Sequence, residues 1–143
     1  MGRIEAIWVK RMKRGPMDPK QRVQLIAGKG IEGNANQGGR RQVTIIEKEI
    51  FGEIEAELMT DVDPRWRRAN VMVSGLPLID SRGKTLAIGD CRIQIFGETK
   101  PCEKLEEACR GLRAALEPRW GGGASGMVIV GGEICVGDPI DWA

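Results

Sequence analysis

Short apolar runs, broken at close intervals by glycine and proline, constrain this chain more than anything else in it. Twenty glycines and seven prolines among 143 residues leave few stretches long enough for a helix. Residues 3–9, 21–26, 42–46, 70–73, 85–88 and 92–96 each read as a short strand, several with alternating polar and apolar positions. A basic turn over residues 10–16 and the breaker set Gly15-Pro16-Met17-Asp18-Pro19 close the first of them. Residues 127–130 and 133–136, separated by Gly131 and Gly132, read as a hairpin. Ile88-Gly89-Asp90 and Val136-Gly137-Asp138 look like one tight turn used twice. Helical spacing occurs twice, as Ile50, Phe51, Ile54 and Leu58 within 47–58 and as Leu105, Cys109, Leu112 and Leu116 within 102–116. Seven or so short strands, two or so short helices and no strand–helix–strand alternation predict a mostly β chain. It closes, or nearly closes, into a β-barrel rather than a doubly wound sheet. No linker divides residues 1–143, so a single domain is expected.

The chain contains no histidine and no tyrosine. That removes Cys-His and Ser-His nucleophile activation, H-E-x-x-H metalloproteases and imidazole-based zinc sites. The chemistry left rests on thiol, carboxylate, amine, guanidinium and amide groups, or on a bound cofactor. The formal charge of +2 imposes no global field, yet the basic residues are clustered. Lys10, Arg11, Lys13 and Arg14 form one group, Arg40 and Arg41 a second, and Arg65, Arg67 and Arg68 a third, so local anion binding is open to it. No apolar run approaches the ~20 residues that span a bilayer, and Met1-Gly2-Arg3-Ile4-Glu5 lacks the apolar stretch of a secretory signal. A cytoplasmic protein without membrane contact is therefore expected. In such a reducing compartment Cys91, Cys102, Cys109 and Cys135, with no C-x-x-C pair among them, read as free thiols.

The sharpest local feature is Gly97-Glu98-Thr99-Lys100-Pro101-Cys102-Glu103, which joins a strand end to a helix start. Thr99 or Lys100 is placed near the cap and Pro101 in the first turn. A thiol at such a position faces unpaired backbone N–H groups, and Lys100 adds positive charge while Glu103 opposes it. An inert cysteine at a helix start is the equal alternative on this ground alone. Cys109 falls on the apolar stripe of its helix, Cys91 shares a strand face with Ile93 and Ile95, and Cys135 lies in the terminal hairpin; all three read as packing residues. The glycine-rich loop over 28–39 has neither a Walker pattern nor a G-x-G-x-x-G opening a helix. Its glycines permit close backbone approach to a ligand, and Asn34, Asn36 and Gln37 offer donors and acceptors; a flexible crossover loop is the plainer reading. Arg40, Arg41 and Arg68, each just before a strand, could converge on one barrel rim as a seat for phosphate or another oxyanion. Pro64-Arg65-Trp66-Arg67-Arg68 could also clamp a nucleic-acid strand, a weaker reading in a chain so poor in aromatic residues.

With these residues in hand, the chain resembles the MOSC family, named for the C-terminal domain of molybdenum cofactor sulfurases. Gly30-Ile31-Glu32-Gly33 and Arg41-Gln42-Val43-Thr44-Ile45-Ile46 are similar to the family's glycine loop and the strand after it. Arg68-Ala69-Asn70-Val71, Leu86-Ala87-Ile88-Gly89-Asp90, Lys100-Pro101-Cys102 and Gly131-Gly132-Glu133-Ile134-Cys135-Val136-Gly137-Asp138 follow in the family's order. The resemblance implies a MOSC (pyruvate-kinase-barrel-like) barrel with a rim cysteine that carries sulfur as a persulfide or ligates molybdenum held by a pterin. By position that residue is Cys102. A thiolate is both a soft metal ligand and a sulfur acceptor. Lys100, Arg41, Arg68 and Asn70, with Gly33, Asn34 and Asn36 of the loop, would then orient the anionic molybdenum cofactor (molybdopterin).

The resemblance thus leans toward sulfur transfer or molybdenum-dependent oxidoreduction, with a cysteine desulfurase or a cofactor-synthesis enzyme as partner and no PLP site in this chain. Family members often carry aspartate and histidine where this chain has Asn34 and Asn36, which leaves neutral groups in place of an acid/base pair and favours binding over turnover. A non-catalytic cofactor-assembly module and, from another class, a nucleic-acid-binding barrel are the competing readings.

Overall fold

The protein is described here from a computed structural model that covers residues 2–143. The chain begins with β1 (Gly2–Lys10), β2 (Met17–Lys20), β3 (Arg22–Ile26) and the two-residue β4 (Gly30–Ile31). After the glycine-rich loop come β5 (Val43–Glu47), helix α1 (Lys48–Leu58) and β6 (Val71–Ser74). The second half runs β7 (Thr85–Ile88), β8 (Cys91–Glu98), α2 (Glu103–Ala108), α3 (Leu112–Leu116), β9 (Ala124–Val130), β10 (Gly132–Cys135) and β11 (Pro139–Trp142).

Seven of these strands close a barrel in the order β11-β7-β8-β9-β5-β6-β1, with β1 returning to β11 through Gly2↔Ile140 and Arg3↔Pro139. Closure removes the unpaired sheet edges that would otherwise invite aggregation. Alternation builds its interior. In β8, Cys91, Ile93 and Ile95 point inward while Arg92, Gln94 and Phe96 stay partly exposed. Val43 and Ile45 of β5 face the same core, whereas Ile46 turns outward under the helices. There Ile50, Phe51 and Ile54 of α1 pack with Leu105, Leu112 and Leu116, and burying side chains of this kind contributes about 1.5–3 kcal/mol each. A second sheet, β10-β3-β4, lays Val23, Leu25, Ile31 and Ile134 onto the barrel core.

The structure departs from the sequence reading in five places. First, β5, α1 and β6 form a strand–helix–strand unit, and β5–β6 is the one parallel pair among the described strands. Second, the expected helix over 102–116 breaks in two at Gly111, whose φ of +88° suits glycine alone. Third, Gly131-Gly132 does not turn a hairpin. A Cβ on Gly131 would sit 2.5 Å from the Leu25 carbonyl oxygen, so the backbone passes close against β3 and β10 pairs there instead, with Ile134 opposite Val23.

Fourth, the two Gly-Asp turns differ. Gly89 leads a two-residue hairpin between Ile88 and Cys91, whereas Gly137 is the third residue of a turn in which the Asp138 N–H donates to the Cys135 carbonyl. Fifth, Met17, Asp18 and Pro19, read as part of the breaker set Gly15–Pro19, belong to a strand, β2. It lies at an edge, where the missing N–H of Pro19 removes no ladder bond.

Candidate functional site

Three basic clusters that are far apart in sequence meet in one cleft. Lys10 at the end of β1, Lys13 in the following turn, Arg41 before β5, Arg67 and Arg68 before β6, and Lys104 on α2 line a cavity of about 320 Å³. Cys102, Asn36, Thr44, Thr99 and Trp66 share its wall, and no carboxylate among the described residues does. Like charges this close repel in a medium less polar than water. Lys10 shows the effect: burial, then Arg68 and Lys13, push its pKa below the ordinary lysine value. Arg67 is likewise pushed down, by burial first, with Arg41 adding to the shift and Cys102 opposing it. The wall of the cleft is strongly cationic.

Three of the six, Lys10, Arg67 and Arg68, are tied to the frame around them. The Lys10 N–H donates to Asn34 Oδ1 at 2.9 Å, and the Ala35 N–H donates back to the Lys10 carbonyl at 2.6 Å. Gln37 Nε2 donates to the Ile31 and Asn34 carbonyls, so the glycine-rich loop is braced rather than a free crossover. Arg68 Nη2 donates to the Gly15 carbonyl at 2.5 Å, tying the β1–β2 turn to the β6 entry. Asp63 caps the helical turn Pro64–Arg67 by accepting the Arg65 N–H, with Pro64 in the first turn. That turn sends Arg67 inward, where its Nε donates to the Gly122 carbonyl at 2.6 Å, while Arg68 takes a left-handed φ of +58°.

Two polar atoms in the wall have no partner. Arg67 Nη2 and Thr99 Oγ1 are both enclosed and unpaired, as is Asn34 Nδ2 behind them. Both atoms are closed off from the open space of the cleft, and a buried donor left without an acceptor costs about 1–3 kcal/mol.

Cys102 is exposed, Cys109 and Cys135 are half-buried, and Cys91 is buried. Cys102 is itself the N-cap of α2, with its sulfur making no capping bond, and the helix is only six residues long. Pro101 therefore precedes the helix instead of entering its first turn, and the positive surroundings of the sulfur come from the cleft's side chains. Cys109 ends α2 at its junction with α3, and Cys135 packs less tightly than the hairpin reading assumed, its sulfur 3.7 Å from Glu133 Oε1.

Of the residues singled out from sequence, Cys102, Arg41, Arg68 and Asn36 wall the cleft. Lys100 and Gly33 are exposed and outside that wall, and Gly33 has a turn φ of +84°. Asn34 and Asn70 are buried at 4% and 5% exposure. Asn70 accepts the Thr44 N–H and donates to the Trp8 carbonyl and to Asn34 Oδ1, so its amide joins β1, β5 and the loop. The sequence names Lys10, Lys13 and Arg67 only as members of basic clusters, Arg67 also in the candidate nucleic-acid clamp, and does not mark Thr99 or Lys104 as ligand-facing. For Arg67 the signal was present in Asp63-Pro64, a cap followed by a helix-starting proline, which fixes a turn that separates neighbouring arginines.

A second, open basin of about 770 Å³ adjoins the cleft and shares Lys13, Asn36 and Arg41 with it. Gly38 and Gly39 form part of its floor, and the Arg40 guanidinium lies 5.3 Å from the centre of the Phe96 ring. The two together make one continuous groove, lined in part by Lys13, Asn36 and Arg41.

The sequence profile of the MOSC domain matches residues 32–141. The chain belongs to the MOSC domain family. That family is associated with the molybdenum cofactor. No curated protein matches it. Among solved structures it is similar to the YuaD protein from Bacillus subtilis, with a TM-score of 0.82 and 22% identity over 98% of this chain and 94% of that one. It is similar also to YiiM from Geobacillus stearothermophilus (TM-score 0.81, 19% identity, 100% of this chain and 75% of that one). YiiM from Escherichia coli aligns at a TM-score of 0.72 and 18% identity, over 99% and 69% of the two chains. At these identities the likeness is one of fold. The barrel of this chain is closed and mostly β.

Proposed function

We propose that this MOSC domain binds a phosphorylated pterin of the molybdenum-cofactor type across the groove and handles sulfur or molybdenum through Cys102. The observation that carries the reading is the cleft: an exposed thiol in a wall with six cationic side chains and no carboxylate. The donor set fits the group. Guanidinium forks suit phosphate oxygens, Arg41 and Arg68 stand in the cleft wall, and the basin beside Phe96 and Arg40 offers a face for a flat ring.

Arg41, Arg67 and Lys10 would neutralise the ligand's charge, Asn36 would meet a polar edge, and Cys102 would supply a soft sulfur ligand. When bound, such a cofactor supplies two-electron redox and atom-transfer chemistry. For sulfur delivery, the Cys102 thiolate attacks the outer sulfur of a donor persulfide, the donor's S–S bond breaks, and the donor leaves as its thiolate. Cys102 then carries the transferred sulfur as a persulfide. A cysteine desulfurase is the partner class that presents such a donor. In the absence of any histidine, the proton of the thiol leaves to solvent.

Purification from a molybdenum-replete host tests this. Bound molybdenum and the fluorescence of oxidised pterin are expected in the wild type. Cys102→Ser should lose the metal, and Arg41→Ala should weaken retention of the pterin. Absence of both metal and pterin, with no persulfide formed from a desulfurase donor, would sink the reading. A nucleic-acid-binding barrel would instead show steep salt dependence and indifference to Cys102.

A further inference from the structure

We propose that the ligand of the groove continues past its phosphate into a third pocket, where a nucleobase stacks on Trp66. The cofactor is then a dinucleotide, a pterin joined to a nucleoside through two phosphates. The inference rests on the pterin reading of the groove and adds the nucleotide to it. Met17, Asp63, Arg65, Trp66 and Arg68 line this pocket, of about 260 Å³. It shares Trp66 and Arg68 with the cationic cleft and no residue with the basin that holds Phe96. The cleft in turn shares Lys13, Asn36 and Arg41 with that basin. The three cavities therefore run in series, with an aromatic ring at each end and the cations between.

The chain has few rings to spend on such an arrangement, only two phenylalanines and four tryptophans. Trp8 and Phe51 are buried and Phe96, Trp120 and Trp142 half-buried, whereas Trp66 alone is exposed, at 38%. Its backbone is nevertheless fixed. Trp66 sits in the helical turn Pro64–Arg67, where its N–H donates to the Asp63 carbonyl at 3.0 Å and the Arg68 N–H donates to the Arg65 carbonyl at 2.9 Å. A ring presented on a braced turn loses little to ordering when a flat group lies against it.

The charges suit a phosphate at the near end of this pocket. Asp63 is its one carboxylate, and Arg65 engages it through Nη2 at 2.8 Å and Nε at 3.1 Å. That pair is neutral, which leaves Arg68 as the pocket's net charge. Arg68 stands in both walls and is anchored by its Nη2 bond to the Gly15 carbonyl. A phosphate at the shared boundary meets Arg68, and the group beyond it meets the indole. Every nucleobase has a π-face, so Trp66 selects a nucleotide without selecting the base. A nucleic-acid strand needs a platform for successive bases, and this pocket offers one exposed ring.

Two measurements on the intact protein test this. Calorimetry with ADP, CDP and inorganic pyrophosphate as probes should find both nucleotides bound about tenfold or more tighter than pyrophosphate, the usual worth of one stacked base. Trp66→Ala should remove that advantage and leave pyrophosphate binding unchanged, and Trp66→Phe should keep part of it. Nucleotides that bind no better than pyrophosphate, or a Trp66→Ala variant that weakens both alike, overturn the inference. So does a single-stranded oligonucleotide that binds far more tightly than the nucleotides, which would assign the ring to a strand. Acid treatment of protein purified from a molybdenum-replete host should release a nucleoside monophosphate in equal amount with the oxidised pterin. Pterin without nucleotide overturns the inference and leaves the cofactor reading standing. Nucleotide without pterin keeps the Trp66 seat and overturns the cofactor reading, and release of neither overturns both.

Discussion

Asn70 matches the family's asparagine motif, yet its amide is committed to the frame, and replacing it should unfold the protein before it empties the groove. At this level β1 and β5 flank the start of β6. The Trp8 N–H donates to the Asn70 carbonyl at 2.7 Å, and the Asn70 N–H donates to the Thr44 carbonyl at 2.9 Å. The side chain repeats the pattern: Oδ1 accepts the Thr44 N–H at 3.1 Å, and Nδ2 donates to the Trp8 carbonyl at 3.2 Å. The carboxamide thus stands in for one more peptide group between strands that have begun to splay. Asn70→Ala strips a main-chain donor and a main-chain acceptor at a site 5% exposed, and also removes the bond to Asn34 Oδ1. With about 1–3 kcal/mol for each buried group left bare, the loss comes to roughly 3–5 kcal/mol. For a chain of this length that is a fall in Tm of about 10–15 °C.

Urea denaturation followed by tryptophan fluorescence reads this directly. Asn70→Asp is the sharper variant, because it keeps the acceptor for Thr44 but turns a second oxygen toward the Trp8 carbonyl and Asn34 Oδ1. It should be destabilised at neutral pH despite its near-identical shape. If Asn70→Ala stayed within about 1 kcal/mol of wild type and lost anion binding instead, the residue would be a ligand contact and the frame argument would be wrong.

Two further outcomes follow from the charges. Glu5 accepts from Arg3, Ser74 and Lys48, which together hold its carboxyl down to about 2 from 4.5. A depressed carboxyl contributes stability above its unfolded value that is lost as pH falls toward the folded one. Glu5→Gln should therefore cost roughly 1 kcal/mol at neutral pH after solvent screening, with the gap to wild type closing between about pH 5 and pH 2 in denaturant titrations. Lys10 is lowered by burial and by Arg68 and Lys13, so the folded protein holds its proton less well than the unfolded chain. Stability should rise with pH between the folded and unfolded lysine values, with the penalty fully present below them. An anion in the cleft reverses the shift. Phosphate binding should then take up protons at alkaline pH, visible as a buffer-dependent heat in calorimetry, and Lys10→Met should abolish that uptake.

How much of this was legible in the sequence depends on whether the determining contact is local. The alternation of Cys91, Ile93 and Ile95 is a property of one strand and reads directly. So do the apolar face of α1 and the barrel as a class. The parallel pairing of β5 with β6 does not, because residues 59–70 after α1 carry no regular pattern to show which way the chain returns. Gly131-Gly132 misleads for a related reason: two glycines suit a tight turn, but equally a place where one backbone must lie against another, here β3. Cys102 could be placed near a helix start from Pro101, whereas its cationic surroundings could not, since Lys10, Arg41 and Arg67 come from three turns that only barrel closure brings together.

A chain with nearly balanced charge can hold six cations in one wall only if the elements carrying them are fixed independently of the ligand. Three of the six carriers are tied in this way: the Lys10 N–H donates to Asn34 Oδ1, Arg68 Nη2 to the Gly15 carbonyl, and Arg67 Nε to the Gly122 carbonyl. The repulsion is therefore carried by the barrel as strain on protonation, seen at Lys10, rather than by loops that could swing away. An anion entering such a site finds its donors already placed and loses little to ordering them. The neutral residues Asn34 and Asn70 lie outside that wall and tie its frame together, for Asn34 Oδ1 accepts both the Lys10 N–H and Asn70 Nδ2.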